Sequence, residues 1–317
     1  MPSSNRRQAT TFSIVLAFAS VYFFWGSTYV AIRIAAATMP ALLMAGPRFL
    51  IAGAILLAWC RWRGHRILLP ARSMWMLLLI AVLLLGGGNV GLVYAEKAVP
   101  SGLASLFYAV TPLYVALMEW FLPSGEPLPL RGWLGLLLGF AGLAVLLGPT
   151  LHVVLHGDAF LLGALAALFG GALSWAVGSM ISRHARLPVN AFVAAAWQMV
   201  FAGVFDTLLG TALGEWPSFH PTPAALGAVA YLVTGGSLLG YTGFIYLLEH
   251  VPVAKVMSYT YVNPIVAVLM GIFILYERLV PSECAGMAAI VVAVFLLTSA
   301  QIKAKPRAEH LEQITAD

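Results

Sequence analysis

Apolar residues along this chain come in long uninterrupted stretches, and the charged residues fall between those stretches rather than alternating with them. A hydrocarbon core of about 30 Å takes about 20 apolar residues of helix, so stretches of this length read as membrane spans. Ten fit the pattern, at about 11–34, 41–60, 74–95, 101–121, 133–148, 159–182, 189–213, 224–248, 253–275 and 283–301. The expected fold class is an all-α integral membrane protein with ten transmembrane helices.

The stretch 240–275 has a counterpart earlier in the chain. Gly240, Gly243, Tyr246, Val251-Pro252 and Pro264 repeat the residue types found 152 positions before them, at Gly88, Gly91, Tyr94, Val99-Pro100 and Pro112. With proline at 18 of 317 residues, two prolines fall into register by chance roughly 0.3 per cent of the time, so the chain reads as an internal duplication. Five helices per copy is an odd number, which turns the second copy upside down in the membrane. The expected organisation is a first five-helix repeat over 1–150, a second, inverted one over 151–301, and a mobile cytoplasmic tail over 302–317.

Charge orients this arrangement. Arg6, Arg7, Arg61, Arg63, Arg66, Arg72, Arg131, Arg183, Arg186, Lys255, Lys303, Lys305 and Arg307 gather on one side, against Arg33, Lys97 and Arg278 on the other. Cationic loops resist translocation, so both termini are expected in the cytoplasm and the chain in the inner membrane. Arg6 and Arg7 precede an apolar run with no small-residue cleavage site, which reads as a retained first span rather than a removed signal peptide.

Composition adds little beyond the medium. The chain is 61% hydrophobic and 9% charged with a mean hydropathy of +0.93, and its net charge of +5 comes mostly from those cytoplasmic anchors. Nucleic acid is therefore not an expected partner. The two cysteines, Cys60 and Cys284, belong at opposite faces in this topology, which argues against a disulfide, and no metal-ligand spacing is present. No cofactor is expected.

Candidate chemistry lies within the spans. Trp25 and Trp175 occupy equivalent places 150 residues apart, Trp25 in a run of small and hydroxyl residues that includes Ser27; each is either an interfacial anchor or part of a pore lining. Arg48 falls at membrane depth, where a cation costs at least about 2.5 kcal/mol and needs an acceptor or a wet cavity. Either it contacts an anionic group of a solute, or it clamps helix-end carbonyls or pairs with Asp206. Gln198 registers close to it in the second copy. The glycine groups 86–88 and 235–236 either pack tightly or permit bending, and Asn89 and Tyr241, equivalent positions beside them, are expected to face inward.

Pro112 and Pro264 interrupt the fourth and ninth spans, each freeing a carbonyl. Beside them, Tyr259 with Asn263 and Phe107 with Thr111 stand four apart on one helical face. Around two kinks in mid-membrane these groups make a binding site for a small amphipathic solute, or they satisfy the kinked backbone. Tyr94 and Tyr246, related by the repeat, complete the candidate set.

The runs Trp25-Gly26-Ser27-Thr28-Tyr29 with Ile32-Arg33, Ala45-Gly46-Pro47-Arg48-Phe49, Val99-Pro100-Ser101-Gly102-Leu103-Ala104, Thr111-Pro112-Leu113, Ser174-Trp175-Ala176, and Tyr259 through Pro264 with Tyr276-Glu277 follow one another in a familiar order. Over about 12–301 the chain resembles the drug/metabolite transporter superfamily, EamA type. The resemblance implies a ten-helix inner-membrane carrier with a central cavity between inverted repeats. Related members export amino acids, metabolites or drugs, and others in the superfamily move sugars or nucleotide sugars. Substrate does not transfer with the fold.

The reading that follows is a secondary transporter rather than an enzyme, exporting small metabolites by alternating access. Import or exchange of sugars or other metabolites stays open as the alternative, as does homodimerisation. An intramembrane enzyme would need a nucleophile and base meeting in the membrane, yet all seven histidines fall in loops or at span ends. A receptor would carry a docking or signalling domain. Glu126 and Glu277 fall in loops and Glu119 near a span end, so Asp206 is the candidate for proton coupling, with facilitated diffusion or exchange as the other course.

Overall fold

The computed structural model describes residues 10–121, 130–155, 159–185, 187–251, 253–276 and 281–303. Every regular element among them is helical. In chain order they are α1 (Thr11–Ala36), α2 (Ala41–Trp62), α3 (Ala71–Ala95), α4 (Ser101–Tyr108), α5 (Thr111–Phe121), α6 (Leu130–Leu155), α7 (Ala159–His184), α8 (Ala191–Ala212), α9 (Pro223–His250), α10 (Val253–Val256), α11 (Tyr259–Leu275) and α12 (Pro281–Lys303). By length and composition α1, α2, α3, α7, α8 and α9 are long and apolar enough to cross a membrane. Shorter apolar helical stretches lie at Ala104–Met118, Leu130–Gly142, Val262–Leu275 and Cys284–Ala293. Six of the ten expected spans are thus clear among the described residues, and the protein is a helical membrane protein.

Local chemistry sets where these helices stop. Two glycines with positive φ, Gly64 at 78° and Gly214 at 71°, end α2 and α8. In each case the next amide reaches back to close the last turn, His65 N to the Cys60 carbonyl and Glu215 N to the Gly210 carbonyl, both at 2.9 Å. This left-handed cap satisfies carbonyls that a helix end otherwise leaves without partners, and it needs glycine because a Cβ there is strained. Asn190 and Thr222 cap the starts of α8 and α9 through their side-chain oxygens.

Small residues let the helices meet closely. At Gly53 a Cβ would sit 2.8 Å from the Val200 amide nitrogen, and at Gly203 one would sit 2.6 Å from that of Leu50, so α2 and α8 touch backbone to backbone. At Gly142 a Cβ would sit 3.1 Å from the Ile290 amide nitrogen, which brings α6 close to α12, and Gly139 faces the side chains of Leu113 of α5 and Ala293 of α12. Further pairs are α3 with α7, α1 with α9, and α4 with α11.

Two irregularities shape the middle of the molecule. Long π-helical segments run through Val82–Asn89 of α3 and Leu232–Tyr241 of α9, with a third at Val21–Trp25 of α1. The first two end at positions 152 apart. The fourth span breaks at Ala109 and Val110, between α4 and α5, and a break at Met257 and Ser258 separates α10 from α11. Pro112 accordingly stands as the second residue of a new helix, not within a continuous kinked one, whereas Pro264 is inside α11.

Arg6, Arg7, Glu126, His156, Arg186, Pro252, Glu277, Arg278, Lys305 and Arg307 lie outside the described residues, as do 304–317 of the tail.

Candidate functional site

A cavity with about 60 Å³ of water-accessible space lies where α1, α2, α3, α4, α7, α9 and α11 converge. One wall is the face Trp25, Thr28, Tyr29 and Ile32 of α1, spaced as successive turns of a helix. Arg48 and Phe49 come from α2, Leu85, Asn89 and Leu92 from α3, and Ser105, Tyr108 and Ala109 from α4 and the break after it. Trp175, Gly236, Tyr241, Tyr259, Thr260 and Asn263 complete the lining from α7, α9 and α11.

Aromatic rings make up most of one side. Trp25 is at its centre, edge to face with Trp175 at 5.3 Å between ring centres and with Tyr259 at 5.1 Å, and backed by Phe244 at 4.9 Å. Such edge-to-face pairs add about 0.5–1.5 kcal/mol beyond burial and hold the rings in fixed orientations. The Trp25 indole N–H donates to the Gly236 carbonyl at 3.0 Å.

That bond is one of four, among the described residues, in which a side chain from another helix donates to a main-chain carbonyl of a π-helical segment. Tyr108 donates its hydroxyl to the Gly88 carbonyl, Ser174 to Leu83 at 2.7 Å, and Ser20 to Leu239 at 2.9 Å. A π turn loosens the main-chain ladder, and in hydrocarbon each loosened carbonyl needs a donor. Side chains from other helices supply it here.

Arg48 provides the cation. Its residue is 3% exposed, its Nε donates to Ser237 Oγ at 3.1 Å, its Nη1 lies 3.5 Å from Asn89 Oδ1, and its guanidinium lies over the Phe49 ring at 4.7 Å. Among the described residues, no carboxylate lines the cavity. Asn263 also lines the cavity; it is buried and its Oδ1 has no hydrogen-bond partner among the described residues. The site therefore offers a guanidinium, an unengaged amide oxygen and a wall of aromatic surface.

The expectation that Arg48 pairs with Asp206 does not hold. Asp206 is fully buried on α8 with neither carboxylate oxygen bonded among the described residues, and it stands against Gly86 of α3, where a Cβ would lie 3.5 Å from Oδ1. The two side chains leave the packed pair α2 and α8 in different directions, Arg48 toward Ser237 and Asn89, Asp206 toward Gly86.

Of the residues singled out in the sequence, Trp25, Arg48, Asn89, Trp175, Tyr241, Tyr259 and Asn263 line the cavity. Gln198 stands behind it, accepting from the Tyr241 hydroxyl at 2.7 Å. Ser27 bonds to Tyr231, and Tyr246 bonds to Ser13 at 2.8 Å, each away from the cavity. Tyr94 is 38% exposed and meets Phe160 on the outside. Phe107 is buried against Phe169, and Thr111 donates to the Tyr108 carbonyl at 2.6 Å. The helix break at Ala109 and Val110 explains this last pair, because helical spacing does not carry across it and Tyr108 takes the inward place. Thr28, Tyr29, Ser105, Tyr108 and Thr260 were not anticipated. For α1 the signal was there in the i, i+3, i+4, i+7 face that starts at Trp25.

The fold and this cavity define a class: a polytopic helical membrane protein with a central cavity lined by aromatic rings and a buried arginine. Comparison with known sequences then makes the assignment. The profile of the EamA-like transporter family matches residues 11–148 and again 161–299. The chain is 38% identical over 280 residues to the uncharacterized inner membrane transporter YedA of Escherichia coli (strain K12), covering 88% of each, and 28% identical to the uncharacterized transporter YvbV of Bacillus subtilis (strain 168), covering 92% of each. A solved crystal structure superposes with a TM-score of 0.69 over 92% of this chain at 24% identity, a likeness of fold. The chain belongs to the EamA-like transporter family and is a membrane transporter.

Proposed function

We propose that the protein is a secondary transporter of the inner membrane that exports small amphipathic metabolites, amino acids and drugs among them, by alternating access through the cavity around Trp25 and Arg48. The observation that carries this reading is the make-up of that cavity. Residues 1–150 contribute Trp25, Arg48 and Asn89, and 151–301 contribute Trp175, Tyr241, Tyr259 and Asn263. A site shared between two halves changes its exposure when one half rocks against the other. Two family matches in one chain, and close contact between α2 and α8 and between α6 and α12, support two five-helix repeats of opposite orientation. Both termini are then cytoplasmic.

In this reading Arg48 receives an anionic group of the solute, since among the described residues no carboxylate lines the cavity beside its buried guanidinium. The aromatic wall takes the apolar part, and Asn263 Oδ1 takes a donor. Asp206 is the proton-coupling group, an acid enclosed at membrane depth beside Gly86 of α3.

Reconstituted protein tests this. Liposomes loaded with labelled amino acids, sugars or cationic drugs should release one class faster than protein-free liposomes, and unlabelled solute outside should accelerate the exchange. No protein-dependent flux of any of the three classes would overturn the export reading, and flux of sugars alone would favour the sugar importer or exchanger instead.

A further inference from the structure

Arg33 and Arg183 stand 150 positions apart, the same interval as Trp25 and Trp175, and each grips the main chain of another span. Arg33, in the last turn of α1, donates Nη1 to the Glu96 carbonyl and, at 3.1 Å, to that of Val99. Arg183, in the last turn of α7, donates Nη1 to the carbonyls of Leu248 and Glu249 at 3.0 and 3.1 Å. Leu248 lies 152 positions after Glu96. Both arginines thus hold one register, the end of the π-containing span where the chain turns into the broken span that follows.

One such contact is ordinary capping, because a helix end leaves carbonyls that attract cations. Three features carry the pair further. Each arginine bridges two different spans rather than closing its own helix. The turns they hold lead directly into the segments that wall the cavity, with Ser105 and Tyr108 after the first and Tyr259 and Asn263 after the second. The distribution of charge along the chain places the two arginines on opposite membrane faces.

We infer that Arg33 and Arg183 are the latches of the two mouths of the cavity. They are positioning residues that act through the turns they hold and never touch the solute. The inference rests on the alternating-access reading. A turn gripped by its arginine keeps the following segment over the cavity. Release lets that segment swing aside and opens the chamber to that face. Both grips are closed in this structure. Transport then requires them to open in alternation, and weakening one biases the protein toward opening on that side.

Accessibility from each face tests this. The full chain carries Cys60→Ala, Cys284→Ser and the cavity reporter Thr28→Cys, and is labelled with a membrane-impermeant sulfonated maleimide in right-side-out and inverted vesicles. Arg33→Gln should shift the ratio of labelling rates toward the face bearing Arg33 by about tenfold, the factor that corresponds to about 1.4 kcal/mol. Arg183→Gln should shift it by a similar factor the other way. A merely structural role lowers yield and moves both rates together, and an unchanged ratio overturns the inference. If either glutamine variant fails to accumulate, Arg33→Lys and Arg183→Lys carry the same measurement, with a smaller shift of the same sign expected and no shift overturning it. A parent protein whose reporter is never labelled from either face overturns the alternating-access reading itself, and is distinguishable from a parent labelled from both faces whose variants do not respond.

Discussion

Arg48 is bonded to Ser237 across the cavity wall, Nε to Oγ at 3.1 Å, so the buried cation of α2 is held by the π-helical segment of α9. Motion of α9 relative to α2 must stretch or remake that bond. Arg48→Gln should nearly abolish flux of a carboxylated solute while membrane-inserted protein persists. Arg48→Lys keeps charge without the planar fork and should raise apparent KM several-fold. Flux per folded molecule against detergent-stable yield separates these effects. A collapse of yield in both variants, with flux per molecule intact, would identify Arg48 as a clamp.

The indole of Trp25 closes over Gly240, where an added Cβ would lie 2.5 Å from the ring. Gly240→Ala should push the indole off the Gly236 carbonyl and lower the apparent melting temperature in detergent, with a cost of about 1–3 kcal/mol for overpacking. Gly227 on the same helix has open space around it. Gly227→Ala should leave melting unchanged or raise it slightly, since alanine is the better helix former by about 1 kcal/mol. Equal effects at the two positions would show that the Trp25 contact is of no consequence.

Asp206→Asn removes the buried carboxylate from that site without changing its size. Export driven by an inward proton gradient should fall to the level seen without a gradient, while solute-for-solute exchange continues. Both assays are run on the same proteoliposomes. Gradient-driven export that survives the substitution would exclude Asp206 from coupling.

The two prolines should differ. Proline at 112 leaves the Tyr108 carbonyl without its helical donor, and the Thr111 hydroxyl already fills that role at 2.6 Å. Pro112→Ala should therefore slow transport only slightly. Pro264 lies inside α11 one residue after Asn263, and Pro264→Ala should slow transport several-fold by straightening the helix that presents Tyr259 and Asn263. Initial rates at equal reconstituted protein decide it, and equal loss in both would remove the distinction.

The membrane class was legible from the lengths of the apolar runs alone, and Trp25 with Trp175 from their equal interval. Arg48 was legible because a cation inside an apolar run has few places to go. Its partner was not. Asp206 is the nearest acid in a topology sketch, yet direction around a helix decides contact, and Arg48 and Asp206 point to different neighbours. Phe107 and Thr111 misled for a related reason. The rule that residues four apart share a face presumes an unbroken helix, and the break at Ala109 comes between them. The π-helical segments of α3 and α9 left no sequence signal beyond clustered glycines, so nothing marked Tyr108 and Ser174 as donors to their carbonyls.

Each of these two π-helical segments is also an elbow. A helix kinks at few kinds of place, and a π turn is one of them, so the bend of α3 and of α9 is located within Val82–Asn89 and Leu232–Tyr241. Asn89 and Tyr241 close their segments at matching places in the two family-matching halves, and both line the cavity. Whatever flexing these two long spans undergo is thereby delivered at the level of the cavity.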